Sequence, residues 1–325
     1  MYLGIEIGGT KLQLSIGPGD GTLAALWRGP VTPAEGADGI RKQIVQAVPE
    51  LLARAKQKKE DMRGVGIGFG GPVDDRTRTV IKSHQIAGWD DFRLADWISE
   101  LVGLPAVLGN DADVAGLAEA LFGAGKGFSP VFYITIGSGI GGGLIIDGEI
   151  YRGIGRGAAE IGHLRFNTHW VMATKTLPDS QGQILEELAS GWGIAETARR
   201  CALYEKPIHS LLYPLVQDAK RELTAKDVID AVRQGDAFAE SVWKESLRFL
   251  AEAICHVIAL LCPARIVIGG GVSLVGEELL FAPLRKLVAD RVFKPCAGCY
   301  EIAPAALGEE MVVHGALALA RKRLG

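Results

Sequence analysis

The sequence has few cysteines and no surplus of charge. Its five cysteines are odd in number and confined to the last two-fifths of the 325-residue chain, which excludes a disulfide framework. A formal net charge of −3 provides no excess of cations for a phosphate backbone or an anionic membrane. We therefore expect a cytoplasmic protein with no nucleic-acid partner and no membrane partner.

Long hydrophobic runs are also missing. The most apolar segment, 253–262, is far shorter than the roughly 20 residues that cross a bilayer, and the N-terminus has the pattern of a strand, without the features of a signal peptide. The 48% hydrophobic content is enough for a real core, and the length suggests two domains. The composition and the length predict a folded, soluble protein with two lobes.

The first part of the chain alternates apolar runs with glycine-rich turns. A meander of three strands is predicted first, at 2–7, 11–16 and 22–27, and a helix with Ile40, Ile44 and Val48 on one face comes next. Strands and helices then alternate over 64–69, 92–102, 106–108 and 111–122. This order, β-β-β-α-β-α-β-α, is typical of an α/β lobe.

The pattern repeats after residue 130. Strands are predicted at 131–136, 143–146 and 149–151, and later a long helix at 237–261, a strand at 265–268, a helix at about 277–291 and a last helix at 311–324. We expect two α/β lobes that face each other across a cleft. Residues 1–115 with about 311–325 would form the N-terminal lobe, and 116–310 the larger C-terminal lobe.

Three glycine-rich corners are candidates for binding phosphate or nucleotide, because glycine lets a ligand approach the backbone N–H groups. The first contains Gly8 and Gly9 followed by Thr10 and Lys11, and a plain hairpin turn would explain it equally well. The second has no helix directly after it, which excludes a Walker A or dinucleotide fingerprint. The second corner contains Gly137, Ser138 and Gly139, and the third contains Gly269, Gly270 and Gly271.

Several motifs along the chain resemble those of the ROK family of bacterial sugar kinases and repressors, within the actin and hexokinase superfamily. They are IEIGGTK from residue 5, GGPVD from 70, GNDAD from 109, TIGSGIGGGLIIDGEIYRG from 135, AAEIGH from 158, LEELASG from 185 and IVIGGGVS from 266. The resemblance implies a two-lobed, actin-like fold related to ribonuclease H. It also implies ATP and Mg²⁺ as cofactors, with the first two corners on the phosphates and the third beside the adenosine.

The family's general base corresponds to Asp111, which would take the proton of the sugar hydroxyl. From the residues alone, Asn110-Asp111 reads equally as a helix N-cap, and Glu160 with His163 as a surface ion pair. The resemblance implies that the sugar-binding residues are Gly71, Asn110, Asp111, Glu160, His163 and Glu186.

The sequence departs from the family pattern at several positions. No cysteine lies between His163 and Glu186, where most members have a zinc-binding cluster, so no zinc site is predicted. His169 and Asp179 are the remaining candidates there, and Cys296 with Cys299 is a lone C-x-x-C expected to be buried or idle. Glu6 replaces the usual Asp and could reach magnesium through water, and Gln85 replaces a sugar-contacting Asn.

The predicted function is an ATP-dependent hexose kinase that phosphorylates the 6-hydroxyl of a glucose-like sugar, acting as a homodimer. Alternatives are a fructokinase, a mannokinase, an N-acyl amino sugar kinase or a polyphosphate-dependent glucokinase. A non-catalytic sugar-sensing regulator is the alternative from another class. Repressors of the family carry a helix-turn-helix before the first hairpin, and this sequence begins a few residues before it.

Overall fold

A computed structural model describes residues 1–83, 85–154, 157–167, 182–218 and 221–325. The strands are β1 Tyr2–Ile7, β2 Lys11–Gly17, β3 Ala25–Pro30, β4 Gly64–Phe69, β5 Val73–Asp74, β6 Thr79–Val80, β7 Ala106–Asn110, β8 Val131–Ile136, β9 Ile140–Ile146, β10 Glu149–Ile150, β11 Arg165–Phe166, β12 Gln183–Ile184, β13 Arg265–Gly269 and β14 Glu301–Pro304. The α-helices are α1 Gly36–Arg54, α2 Leu94–Val102, α3 Asp111–Phe122, α4 Leu185–Ala189, α5 Gly191–Glu205, α6 Leu212–Gln217, α7 Ala225–Arg233, α8 Ala237–Leu261, α9 Ala282–Arg291 and α10 Met311–Leu324.

The first five-stranded sheet has the order β3-β2-β1-β4-β7. Strand β1 pairs antiparallel with β2 and parallel with β4, and β4 pairs parallel with β7. Every residue of β1 and β4 is buried, because helices cover both faces of the sheet. The three-stranded meander and the strand at 64–69 are confirmed, although β3 begins at Ala25 instead of the predicted residue 22.

The core of this sheet lies on the face covered by α1 and α2. Ile40 and Ile44 of α1 and Leu94 and Ile98 of α2 are fully buried there, against Ile67 of β4. The predicted apolar face of the first helix is therefore confirmed. Burial of such side chains is the main source of the stability of a domain, at about 25 cal/mol for each Å² of apolar surface.

Helix α10 packs on the sheet and on α3 at glycine positions. An ideal Cβ on Gly315 would lie 1.9 Å from the carbonyl oxygen of Val114, and one on Gly66 would lie 1.8 Å from that of Ala316. Backbone approaches this close are possible only without a side chain. The last helix therefore returns to pack against the first sheet, as its amphipathic sequence suggests.

The second five-stranded sheet has the order β10-β9-β8-β13-β14, with β10 antiparallel to β9 and β13 parallel to β14. Helix α8 begins after Asp236, whose carboxylate caps it by accepting from Ala239 N at 2.9 Å. The helix packs against α4, α5, α7 and α9. Its buried residues include Trp243, whose indole N–H donates to Leu279 O at 2.9 Å.

The chain divides into two compact units. Unit 1 consists of Met1–Tyr133, Gly143–Ala159 and Ala305–Gly325, and unit 2 of Ile134–Gly142 and Glu160–Pro304. The predicted lobe boundary at 115/116 falls inside α3, which is a continuous helix, and unit 1 includes the 143–159 segment. Among the described residues, no helix is long and apolar enough to span a membrane. All five cysteines are free, and of the C-x-x-C pair Cys296 is partly buried and Cys299 is exposed.

Candidate functional site

The first glycine corner joins β1 to β2 in unit 1. Gly8 N donates to Lys11 O at 3.0 Å, and Gly70 N donates to Ile7 O at 2.8 Å. The two bonds place the corner beside the turn that follows β4. Thr10 is exposed at the corner, and Lys11 is partly exposed.

The carboxylate of Glu6 lies behind this corner, almost fully buried. Its Oε1 is 3.2 Å from Lys11 Nζ, and its Oε2 accepts from Gln13 Nε2 at 2.8 Å. Burial raises the pKa of Glu6 to about 7, and the ammonium group of Lys11 opposes that rise while Asp111 adds to it. Glu6 and Lys11, the predicted metal and phosphate residues of this corner, are thus paired with each other.

Asn110 and Asp111 lie at the junction between β7 and α3. The Asn110 side-chain oxygen accepts from Ala112 N at 2.9 Å and from Asp113 N at 3.3 Å, so the N-cap interpretation is confirmed. Its amide nitrogen donates to Gly71 O at 3.0 Å. One oxygen of Asp111 accepts from Ala112 N at 2.9 Å, and the other would be 3.4 Å from a Cβ on Gly70. Unit 1 therefore brings Asp111, Asn110 and the Gly70-Gly71 turn together.

Gln85 contacts the first corner. A Cβ on Gly9 would lie 1.4 Å from Gln85 Oε1, so the side chain of Gln85 occupies the space above that glycine. A small cavity here is lined by Gly8, Gly9, Ser83, Gln85 and the fully buried Trp89, among others. This position, where the family resemblance implies a sugar contact, thus adjoins the first glycine corner.

The second glycine corner, between β8 and β9, lies in unit 2. Gly137 N donates to Gly139 O at 2.9 Å, and the carbonyl of Gly137 accepts from Gly191 N, at the start of α5, at 2.8 Å. Glu186 Oε2 accepts from Ile140 N at 2.7 Å and would be 2.5 Å from a Cβ on Gly139. Glu186, predicted as a sugar ligand, therefore also supports this corner.

The third corner follows β13 in unit 2. Gly270 has a φ of +87°, and a Cβ on it would lie 2.5 Å from Ile136 O, so glycine is required there. Gly271 begins a short 3₁₀ turn that extends to Val275. No heavy atom lies within 4 Å of a Cβ on Gly271, which leaves its face open to a flat ligand.

Glu160 and His163 of unit 2 flank a short 3₁₀ turn, Ile161–His163, and both are exposed. His163 N donates to Glu160 O at 3.1 Å, so the two residues share one turn, as their spacing predicts. His169 and Asp179, the alternative zinc candidates, lie outside the described residues.

Glu6 is the candidate contact for a metal ion in unit 1. Carboxylate oxygens suit Mg²⁺, but both oxygens of Glu6 already have partners, so a contact through water fits better than direct coordination. Across the described ranges, no group of three or more His, Cys, Asp or Glu residues could hold a metal ion by itself.

Sequence reasoning missed three residues that organise unit 1. Gln13 is buried and bonds both Glu6 and Glu309 O, while Asp113 and Arg152 form a buried ion pair. Asp113 and Arg152 lie within motifs quoted above, GNDAD and EIYRG. A glutamine inside a predicted strand and two opposite charges inside such motifs were the signals available.

Comparisons with known proteins identify the family of the chain. The ROK family model matches residues 2–323. A glucokinase of Halalkalibacterium halodurans is 34% identical over 97% of this chain and 93% of its own length, and a glucokinase of Thermotoga maritima is 30% identical over 99% and 98%.

Solved structures agree as well. A ROK family glucokinase from Streptomyces griseus, in complex with glucose and AMPPNP, is 31% identical with a TM-score of 0.74 over 99% of both chains. A ROK hexokinase from Thermus thermophilus is 25% identical with a TM-score of 0.78, over 98% of this chain and 97% of that one. The α/β fold is therefore that of actin-like sugar kinases, and the chain belongs to the ROK family.

Proposed function

We propose that this protein is an ATP-dependent hexose kinase that transfers the γ-phosphoryl group to the 6-hydroxyl of a glucose-like sugar. The observation that carries the proposal is the placement of Asp111 at the start of α3, beside the Gly70-Gly71 turn and the first glycine corner. The similarity to glucokinases over nearly the whole chain supports the same activity.

Asp111 would act as the general base. A sugar hydroxyl is a weak nucleophile at neutral pH, and a carboxylate within hydrogen-bond reach takes its proton while the bond to the γ-phosphorus forms and ADP leaves. One oxygen of Asp111 accepts from Ala112 N, which fixes the rotamer and leaves the second oxygen directed toward Gly70. The positive end of the α3 dipole favours the ionised carboxylate.

The sugar would be held by Gly71, Asn110, Glu160, His163 and Glu186. Carboxylates accept well from polyol hydroxyls, and an imidazole can both donate and accept. Since the Asn110 oxygen caps α3, this residue would meet the sugar mainly through its amide nitrogen, now on Gly71 O. Glu186 would contribute the oxygen that does not bond Ile140 N.

The phosphates of ATP would bind at Gly8, Gly9, Thr10 and Lys11 and at the Gly137–Gly139 corner, with the adenosine beside Gly269, Gly270 and Gly271. Bound Mg²⁺ supplies positive charge that neutralises the phosphate oxygens, and Glu6 would contact it through water. We further propose that the protein acts in the cytoplasm, in keeping with its free thiols. We also propose that it forms a homodimer.

Two coupled assays test the activity directly: one detects the ADP released when ATP is the donor, and the other detects the sugar phosphate, because polyphosphate as donor forms no ADP. Glucose, fructose, mannose and N-acyl amino sugars are each offered with Mg²⁺ and either ATP or polyphosphate. We expect turnover with glucose and ATP. Turnover of another sugar, or with polyphosphate alone, would establish one of the alternative kinases, and sugar binding without any turnover would establish the sensor.

Replacing the proposed base gives the sharper test. We expect Asp111→Asn to lower kcat by at least about a hundredfold, because amide oxygen cannot take the proton, while calorimetry finds glucose binding nearly unchanged. Asp38→Asn, on the surface of α1, is the matched control and should keep normal turnover. Near-normal kcat for the Asp111 variant would remove this residue from the mechanism.

A further inference from the structure

Arg152 makes a set of buried contacts that the proposed mechanism does not use. It follows β10 in unit 1, and its guanidinium Nη1 donates to Asp113 Oδ2. Nη2 donates to Val73 O at 3.1 Å, and Nε lies 3.4 Å from Asp75 Oδ2. One side chain thus joins α3 to the segment after β4.

The ion pair between Arg152 and Asp113 is shielded from water. The side chain of Arg152 is 11% exposed and that of Asp113 is 2% exposed. Burying such a pair costs desolvation free energy, and a hydrophobic pair would often be at least as stable. A planar guanidinium with donors in fixed directions instead imposes one geometry on its partners. The pair is better explained by the arrangement that it imposes than by stability.

The two elements that Arg152 joins are those that surround Asp111. Asp113 lies in the first turn of α3, two residues after Asp111. Val73 and Asp75 follow the Gly70-Gly71 turn, whose Gly71 carbonyl accepts from Asn110 at 3.0 Å. The start of α3 is therefore fastened to residues 70–75 at two points, directly by Asn110 and through Arg152 by Asp113.

We propose that Arg152 is a positioning residue: through Asp113 and Val73 it holds the first turn of α3 against residues 70–75 and so keeps Asp111 aligned with the reacting hydroxyl. This rests on the proposed function of Asp111 as the base. Displacement of a reacting group by about 1 Å can cost about a hundredfold in rate, so loss of one fastening point reduces turnover while the chain stays folded.

The test compares Arg152→Lys and Arg152→Met with Arg78→Lys. Arg78 is a matched control because it also joins a carboxylate, Asp96 at 3.0 Å, to a carbonyl, Ala106 O at 3.2 Å, within unit 1 but away from α3. We expect both Arg152 variants to lower kcat by about tenfold to a hundredfold with little change in the KM for ATP. The control should keep its kcat even if its melting temperature falls. Normal kcat in the folded Arg152 variants would overturn the proposal.

A double-substitution cycle separates positioning from general destabilisation. If Arg152 acts through the base, Arg152→Lys should change the residual kcat of Asp111→Asn by less than about twofold. The same fold-loss in both backgrounds would overturn the proposal. Arg152→Lys keeps the charge, so it serves if the Met variant does not fold, and Asp113→Asn gives a further variant.

A readout without activity keeps this proposal distinct from the proposed function. Hydrogen exchange at the amides of Ala112 and Asp113 is measured in the unliganded wild type, Arg152→Lys and Arg78→Lys. Faster exchange confined to the Arg152 variant supports the proposal that Arg152 holds the first turn of α3. It does so even if the wild type phosphorylates no hexose, a result that would contradict only the proposed kinase function. Unchanged exchange would overturn the fastening itself.

Discussion

At the scale of single residues, the hairpin of unit 1 shows how one carboxylate is controlled by its neighbours. Glu6 faces Lys11 on one oxygen and Gln13 on the other, and Gln13 itself accepts from Arg28 Nε at 3.1 Å. Burial disfavours the ionised form, while the ammonium group favours it, and burial is the larger effect. The pKa of about 7 means that Glu6 changes charge near neutral pH.

This titration predicts a pH dependence of stability. Between about pH 4.5 and 7 the native protein keeps on Glu6 a proton that the unfolded chain releases, so the contribution of this group to the unfolding free energy falls as pH rises through that window. Glu6→Gln removes the titration. Its unfolding free energy relative to wild type should therefore rise between pH 5 and 8, by up to about 3 kcal/mol.

Urea unfolding of the metal-free, ligand-free protein at pH 5, 6, 7 and 8 provides the measurement. Glu60→Gln, at an exposed position, is the control and should follow the wild-type profile. Parallel profiles for the Glu6 variant and the wild type would show that Glu6 keeps one charge state across the window.

Asn110 shows how much of a site residue's role can be predicted. The sequence left two interpretations open, a helix cap and a sugar contact, and a cap depends on local backbone that a strand-to-helix junction already implies. The cap is confirmed. The bond to Gly71 O could not be predicted, because it joins residues 39 apart that only the pairing of β4 with β7 brings together.

At the scale of elements, the sequence predicted most accurately the bounds of three helices. The bounds of α3, α8 and α10 agree with the sequence prediction, because caps and turns mark their ends. The segment 277–291 was predicted as one helix but divides into a π-helical turn at 277–281 and α9. Over only five residues, the spacing of apolar residues does not distinguish a π-helical turn from an α-helix.

The Arg152 network was missed for a different reason. Its members come from three separate parts of the chain, because Asp75 follows β5, Asp113 lies in the first turn of α3 and Arg152 follows β10. Each alone is an ordinary charged residue. Their burial depends on the packing of α3 against β10 and the strands of the first sheet, which periodicity does not specify. Motif resemblance identified the segments but gave no pairing between them.

Because α10 and α3 are in close contact, one added methyl group between them should lower the free energy of unfolding substantially. The new Cβ of Gly315→Ala would lie 1.9 Å from Val114 O and 2.7 Å from Val114 C, so the two helices must separate. We expect the free energy of unfolding to fall by about 1–3 kcal/mol or more. The measurement is chemical denaturation.

Gly137→Ala is the control for this stability measurement. A Cβ at Gly137 meets no atom within 4 Å, so the same added methyl group should change the unfolding free energy far less. An equal decrease in the unfolding free energy of the two variants would contradict the prediction. The decrease would then come from replacing any glycine, and the α10 contact would tolerate the methyl group.

At the scale of the whole molecule, the two large sheets repeat one arrangement. Their orders, β3-β2-β1-β4-β7 and β10-β9-β8-β13-β14, correspond strand by strand. The first corner joins β1 to β2, and the second joins β8 to β9, at equivalent places. Likewise the Gly70-Gly71 turn follows β4 as the third corner follows β13. Both proposed phosphate corners thus occupy one topological position, which explains why similar glycine-rich sequences occur twice.

We expect the chain as a whole to hold no structural zinc ion. A closed structural zinc site takes four ligands, usually thiolates and imidazoles, and no cysteine occurs between His163 and Glu186. The five cysteines all lie elsewhere, from Cys201 onward. We therefore expect elemental analysis of the purified protein to find far less than one zinc per chain.

We expect that metal binding contributes nothing to the free energy of unfolding, so a chelator should leave the melting temperature unchanged. Kinase activity should also be unchanged once Mg²⁺ is restored. A relative with the cysteine cluster, treated identically, is the control and should lose both stability and zinc. Stoichiometric zinc whose removal lowers the melting temperature would contradict the prediction. The ligands would then be sought by substituting His163, His169, Asp179, Cys296 and Cys299 one at a time and measuring the zinc that each variant retains.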